Sequence, residues 1–258
     1  MLLAGQVAII TGGAKGIGKG MALKFAEEGC AVAIADINEK AGVQTAQEIS
    51  EKGPQAAFFR CDTTDEKQVQ EMVAGVIKKF GKLDILVNNA GGFSVPVPIQ
   101  NLSVQEWDRS VTLNMKGVFL CSKMVAPYMI EKKYGKIINI SSISAIAAGP
   151  PALHYTGPKG GVLAMTLDLA LEFARTGICV NAILPGSIRT DMWNPQLPPG
   201  VKPDDFFKDL GKMVPLGRVG QPEDVACAAL FYASHLSDYI TGDRMLVTGG
   251  LPLNSPGF

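Results

Sequence analysis

The chain has 258 residues, with 24 Lys and Arg balancing 24 Asp and Glu, 47% hydrophobic residues and 19% charged. Its length and apolar content suit one compact domain, and zero net charge removes the bulk attraction to nucleic acid or an acidic membrane. The 29 glycines follow no collagen-like period, so their excess signals tight turns and close backbone approaches.

Short Val/Ile-rich runs alternate with segments of helical period. Residues 6–11 read as a strand, 17–28 as a helix and 31–36 as a second strand. A helix near 39–52, a strand at 55–61, a helix over 67–80 and a strand at 84–87 follow. The segment 104–132 is helical, 136–140 a strand, 155–175 helical, 178–184 a strand, 223–233 a helix and 244–248 the last strand. Seven strands separated by helices predict a doubly wound α/β domain, its parallel sheet covered by helices on both faces. The irregular stretch 187–217, with Pro195, Pro198, Pro199, Pro203 and Pro215, reads as a mobile lid within one domain of residues 1–258.

Cys30, Cys61, Cys121, Cys179 and Cys227 form no C-x-x-C pair, so neither disulfides nor a metal site is expected. Most read as small core hydrophobes in a reducing, cytoplasmic protein. The N-terminus lacks the basic region of a signal peptide, and no apolar run reaches 18 residues, so no membrane span is expected.

Gly12, Gly16 and Gly18 lie in the run Thr11–Gly18 between the first strand and the first helix. Such glycines let backbone N–H groups approach a pyrophosphate at the positive end of a helix. Asp36 closes the second strand, placed to accept hydrogen bonds from ribose hydroxyls and to repel a 2′-phosphate, which selects NAD. Lys15 pulls the other way, since it would greet that phosphate, unless it is a solvated loop charge. Asp62, followed by Thr63, offers a carboxylate to an adenine amino group or caps the next helix, with Thr63 and Asp65 competing. Asn88, Asn89, Ala90 and Gly91 end the fourth strand, where open α/β sheets bind ligands, although an ordinary Asn/Gly turn has the same composition.

Tyr155 and Lys159 are four residues apart and share a helix face. A neighbouring Lys⁺ favours the phenolate of a group whose ordinary pKa is about 10. Ser141 and Ser142 close the fifth strand, where a hydroxyl would meet a reacting oxygen, and Pro150 with Pro151 turns the chain back. Asn114, a weak helix former within a long helix, points to a kink or a bound water.

Together, Thr11–Gly18, Asn88–Gly91, Ser142, Asn114 and Tyr155/Lys159 resemble the short-chain dehydrogenase/reductases over essentially the whole chain. The resemblance implies a Rossmann-type fold and hydride transfer between an alcohol and nicotinamide. Tyr155 would be the base, Ser142 the oxygen-orienting hydroxyl and Lys159 the cation holding the nicotinamide ribose. Asn114 would anchor a water that links Lys159 to solvent. It also implies cofactor contacts from Ile17, Asn89, Gly91, Pro185, Gly186, Ile188 and Thr190, and a homotetramer pairing helices 104–132 and 155–175. The chain departs from the family in Thr156-Gly157-Pro158, with Pro158 expected in the first helical turn, and in Thr248 before Gly249-Gly250.

Candidate lining residues Phe93, Ile143, Ala145, Pro150, His154, Ser187, Met192 and Trp193 are mostly apolar and favour a hydrophobic or mixed small-molecule alcohol or ketone. His154 and His235 read chiefly as structural, and Met192 and Trp193 as lid-closing or substrate-touching. Lys202, Lys208 and Lys212 are interleaved with Asp204, Asp205 and Asp209, a charge-balanced face that otherwise would meet a CoA tail. The expected activity is NAD-dependent oxidation of a secondary alcohol, including 3-hydroxyacyl thioesters. An NADPH-dependent 3-oxoacyl or ketone reductase and a catalytically silent structural subunit are the competing readings.

Overall fold

Alternation along the first strand, β1 (Val7–Thr11), sets the architecture: Ala8 and Ile10 face one helical layer, Val7 and Ile9 the other. The computed structural model describes residues 1–93, 95–147 and 152–251; Pro150 and Pro151 lie outside them. β2 (Ala31–Asp36), β3 (Ala56–Arg60), β4 (Ile85–Asn88), β5 (Gly135–Ile140), β6 (Ile178–Pro185) and β7 (Arg244–Val247) complete a parallel sheet of order β3-β2-β1-β4-β5-β6-β7. The expected seven strands are all present. Strands β1, β4 and β5 are buried throughout, whereas β3 and β7, at the edges, are partly exposed.

One face is covered by α1 (Gly16–Glu27), α2 (Glu39–Ser50) and α8 (Pro222–Ala233). The other carries α3 (Glu66–Phe80), α5 (Gly117–Lys132) and α6 (Leu153–Phe173). α4 (Val104–Val111) leads into α5 through a π turn at Thr112–Lys116, so the segment read as one helix is broken at Asn114. That extra residue per turn is the kink the asparagine signalled. The stretch 187–217 is not irregular throughout, as its prolines suggest, but contains a 3₁₀ turn at Asp191–Gln196 and α7 (Pro203–Lys212). Pro203 at its first turn starts this helix, which is why a proline-rich stretch conceals it.

α6 also starts earlier than expected. With Leu153 as its first residue, Pro158 falls inside the helix rather than in its first turn, and the His154 carbonyl has no N–H four residues on. Between β4 and β5, the Asn88 amide donates to Asn139 Oδ1 at 2.9 Å and to Ser122 at 3.1 Å. Asn139 in turn donates to Thr166 of α6 at 3.0 Å. Cys30, Cys61 and Cys121 are buried as expected, while Cys179 is partly exposed and Cys227 exposed.

Candidate active site

Strand order reverses between β1 and β4, and the crevice at their carboxyl ends is where such sheets bind ligands. Gly12, at φ +62°, turns the chain there, and a Cβ on Gly18 would stand 2.1 Å from the Gly12 carbonyl. Only glycine lets α1 start this close to the turn. No side chain caps α1 and no acid lies in its first turn; among the described residues the N–H groups of Gly16, Ile17 and Gly18 have no acceptor. An uncapped, positive helix end of this kind suits a pyrophosphate.

The loop after β4 is clamped to this turn. Thr11 Oγ accepts from the N–H groups of Asn89 and Ala90 at 2.9 and 3.0 Å, and the Asn89 amide donates to the carbonyls of Thr11 and Gly12. Asn89 therefore joins the two loops with its side chain. Asp36 is half-buried beside them, accepting from Ala14 N–H at 3.0 Å and Asn38 N–H at 2.9 Å. Asp65, not Asp62, caps α3; Asp62 accepts from the N–H and hydroxyl of Thr64, and Thr63 is buried against Gly117.

Lys15 Nζ lies 3.8 Å from the Asp191 carboxylate in the segment after β6, both exposed. A cleft of about 310 Å³ runs there between the glycine turn, α2 and residues 189–191. Lys15, Lys19 and Arg189 border it, facing Asp191, Glu48 and Asp204 in turn, so its charge is balanced. Thr190 packs against Gly16. After β6, the Gly186 N–H donates to the Val247 carbonyl, and a Cβ there would stand 2.9 Å from Thr248 Cα. Thr248 thus backs the Pro185-Gly186 turn. The Ile188 carbonyl accepts from the Trp193 indole at 2.9 Å, and Ile188 N–H has no acceptor among the described residues.

Beyond the end of β5, Lys159 is buried and its ammonium donates to the Ile140 carbonyl at 2.9 Å. Burial pushes its pKa down to about 8. Of the serine pair, Ser141 donates to the Lys159 carbonyl at 2.8 Å and ties β5 to α6. Ser142 Oγ accepts from the Ser144 N–H at 3.2 Å, which fixes its oxygen at the end of the strand. Tyr155 is half-buried, with Lys159 Nζ 5.8 Å from its ring centre and Phe93 packed edge-on at 5.0 Å and 77°. Loss of solvent raises its pKa, and the facing Ser142 hydroxyl offsets part of that rise. Desolvation therefore sets the direction of the shift, opposite to the depression expected from Lys159, and Ser142 is the neighbour that counters it.

Asn114 is fully buried, its amide donating to the Gly92 and Ser110 carbonyls and its Oδ1 accepting from Gly92 N–H. This side chain therefore ties the loop after β4 to α4 and the π turn. A Cβ on Gly91 would meet Asn114 Oδ1 at 2.8 Å and Lys159 Nζ at 3.4 Å. Ile143, Ala145, Ser187 and Trp193 are half-buried near the crevice and Met192 is exposed. His154 is not part of the wall: it has no exposed surface, and neither ring nitrogen has a partner among the described residues. His235 is exposed in a turn after α8. The polar chain Asn88–Asn139–Thr166 and the packing of Trp107 on Gly157 escaped the sequence reading, because their partners are distant in the chain. Among the described residues no cluster of three or more His, Cys, Asp or Glu is placed to hold a metal.

A family model described as enoyl-(acyl carrier protein) reductase matches residues 12–252. The chain is 41% identical over 248 residues to the (2S)-[(R)-hydroxy(phenyl)methyl]succinyl-CoA dehydrogenase subunit BbsD of Thauera aromatica, covering 96% of this chain and 97% of that one. It is 38% identical over 251 residues to the 3-oxoacyl-[acyl-carrier-protein] reductase FabG of Thermotoga maritima, covering 97% and 99%. The crystal structure of levodione reductase superposes with a TM-score of 0.92 at 29% identity, covering 96% of this chain and 98% of that one.

Proposed function

Since this chain belongs to the short-chain dehydrogenase/reductase family of nicotinamide-dependent oxidoreductases, we propose that it is an NAD-linked dehydrogenase that reversibly oxidises a secondary alcohol to its ketone. The observation that carries the choice of NAD is Asp36, a carboxylate held by Ala14 and Asn38 N–H groups beside the glycine turn. Its fixed negative charge accepts ribose hydroxyls and opposes a 2′-phosphate.

The residues present fit a dinucleotide. Gly12, the N–H groups of Gly16, Ile17 and Gly18, and Thr190 would hold the pyrophosphate. Asp62 and Thr63 would flank the adenine, with Lys15 beside the turn. Asn89, Gly91, Pro185, Gly186 and Ile188 would line the nicotinamide half, with Tyr155 and Lys159 at its ribose. A bound nicotinamide supplies the hydride acceptor. Tyr155 takes the proton from the substrate hydroxyl, and Ser142 donates a hydrogen bond to the same oxygen. Lys159 favours the phenolate against the desolvation that raises the Tyr155 pKa. Asn114 holds the Gly92 peptide and so fixes the loop that carries the site's wall.

The competing reading, an NADPH-dependent 3-oxoacyl or ketone reductase, is favoured by Lys15 beside the glycines and by the name of the Thermotoga relative. A silent structural subunit is disfavoured by the full set of Asn114, Ser142, Tyr155 and Lys159. Exposed Phe119 on α5 and Leu167 and Leu171 on α6 support assembly with further copies as a homotetramer. Five free cysteines support a reducing, cytoplasmic setting. Among the described residues no helix is long and apolar enough to cross a membrane.

The test is a panel of secondary alcohols and 3-hydroxyacyl-CoAs with NAD⁺ and NADP⁺, read by absorbance of the reduced cofactor. Faster turnover with NAD⁺ is expected. Preference for NADP⁺ transfers the assignment to the reductase, and no turnover or cofactor binding overturns the enzyme reading.

A further inference from the structure

The Tyr155 ring has two very different neighbours: Lys159, with Nζ 5.8 Å from the ring centre, and Phe93, edge-to-face at 5.0 Å. The preceding Gly92 is anchored, with both its N–H and its carbonyl bonded to the buried Asn114 side chain. Phe93 is itself only half-buried, in the loop that follows β4.

The surroundings select among substrates. Residues 89–103 and 141–158, which follow β4 and β5 in the chain, contain no Asp, Glu, Lys or Arg. At the same end of the sheet Val95, Ile146 and Met192 are exposed apolar side chains. A carbinol whose oxygen meets Tyr155 and Ser142 places one substituent beside Phe93, where it finds an aromatic ring and no counter-charge. Aromatic rings in edge or offset contact gain over saturated rings of similar size.

We propose that Phe93 is a specificity-determining residue that selects aryl carbinols, alcohols with an aromatic ring on the reacting carbon; this rests on the dehydrogenase reading above.

The experiment compares 1-phenylethanol with 1-cyclohexylethanol in the full-length enzyme with NAD⁺, and competitive inhibition by acetophenone with that by cyclohexyl methyl ketone. The inhibition arm removes the intrinsic reactivity of a benzylic carbon. Wild type is expected to favour the aryl member of each pair about tenfold. Phe93→Leu should bring both ratios to within about threefold of one, and Phe93→Tyr, which keeps the ring, should retain them. Equal handling of both members by wild type, or ratios unchanged in Phe93→Leu, overturns the inference and leaves the dehydrogenase reading standing. No oxidation of any alcohol overturns both.

Discussion

The ammonium of Lys159 sits 2.9 Å from the carbonyl of Ile140, at the end of β5, although it has almost no contact with solvent. One hydrogen bond replaces its hydration, and burial holds its pKa down to about 8 against 10.5 in the open chain. Because the folded state resists the proton, the destabilisation is complete below pH 8 and fades as pH rises toward 10.5. It amounts to about 3 kcal/mol at neutral pH, less about 1 kcal/mol returned by the hydrogen bond. Lys159→Met should therefore lose turnover yet unfold at a higher temperature than wild type at pH 7. Melting curves at pH 7 and pH 10.5 check this, since the advantage should vanish at the higher pH.

Tyr155 starts from a raised pKa, and Ser142 is the neighbour that lowers it. Alcohol oxidation should climb with pH as the phenolate forms. Ser142→Ala should move the rise to higher pH and reduce kcat/KM by roughly 10²–10³-fold, the usual loss for one oxygen-stabilising donor. Tyr155→Phe should abolish turnover while leaving NADH binding largely intact. A pH–rate profile that does not move in Ser142→Ala contradicts the assignment.

Asp36 has two jobs, since it also accepts the Ala14 N–H of the glycine turn. Asp36→Ala should improve kcat/KM with NADP⁺ relative to NAD⁺ by at least about tenfold, and lower stability by about 1 kcal/mol through the orphaned N–H. Parallel kinetics with both cofactors and a thermal melt measure the two effects separately.

His154 is buried with both ring nitrogens unpaired among the described residues. Such groups cost about 1–3 kcal/mol. His154→Leu should be stabilising, raising Tm by about 2–4 °C for each kcal/mol recovered. A lower Tm would mean that the imidazole is paired in solution.

Much of this was legible in the sequence because it depends on local chain chemistry. The strands from Val7–Thr11 to Ile178–Pro185 appear where apolar runs predict them, and Gly12, Gly18 and Asp36 follow one another in a single βαβ unit. What stayed hidden depends on distant partners or on competing local signals. Ser141 acquires its role only when α6 folds back against β5. α7 was masked by prolines, one of which starts it. The direction of the Tyr155 shift follows from burial, which spacing along a helix cannot register.

Asn88 and Asn139 stand directly opposite each other in the register of β4 and β5, joined amide to amide in the dry interior. A slip of one residue in either strand would turn its amide to the other face of the sheet, away from its hydrogen-bond partners and among apolar side chains. The pair is therefore a gauge mark. It keeps the strand that leads to Gly91 level with the strand that ends at Ser142, so the two halves of the crevice stay aligned to within one residue.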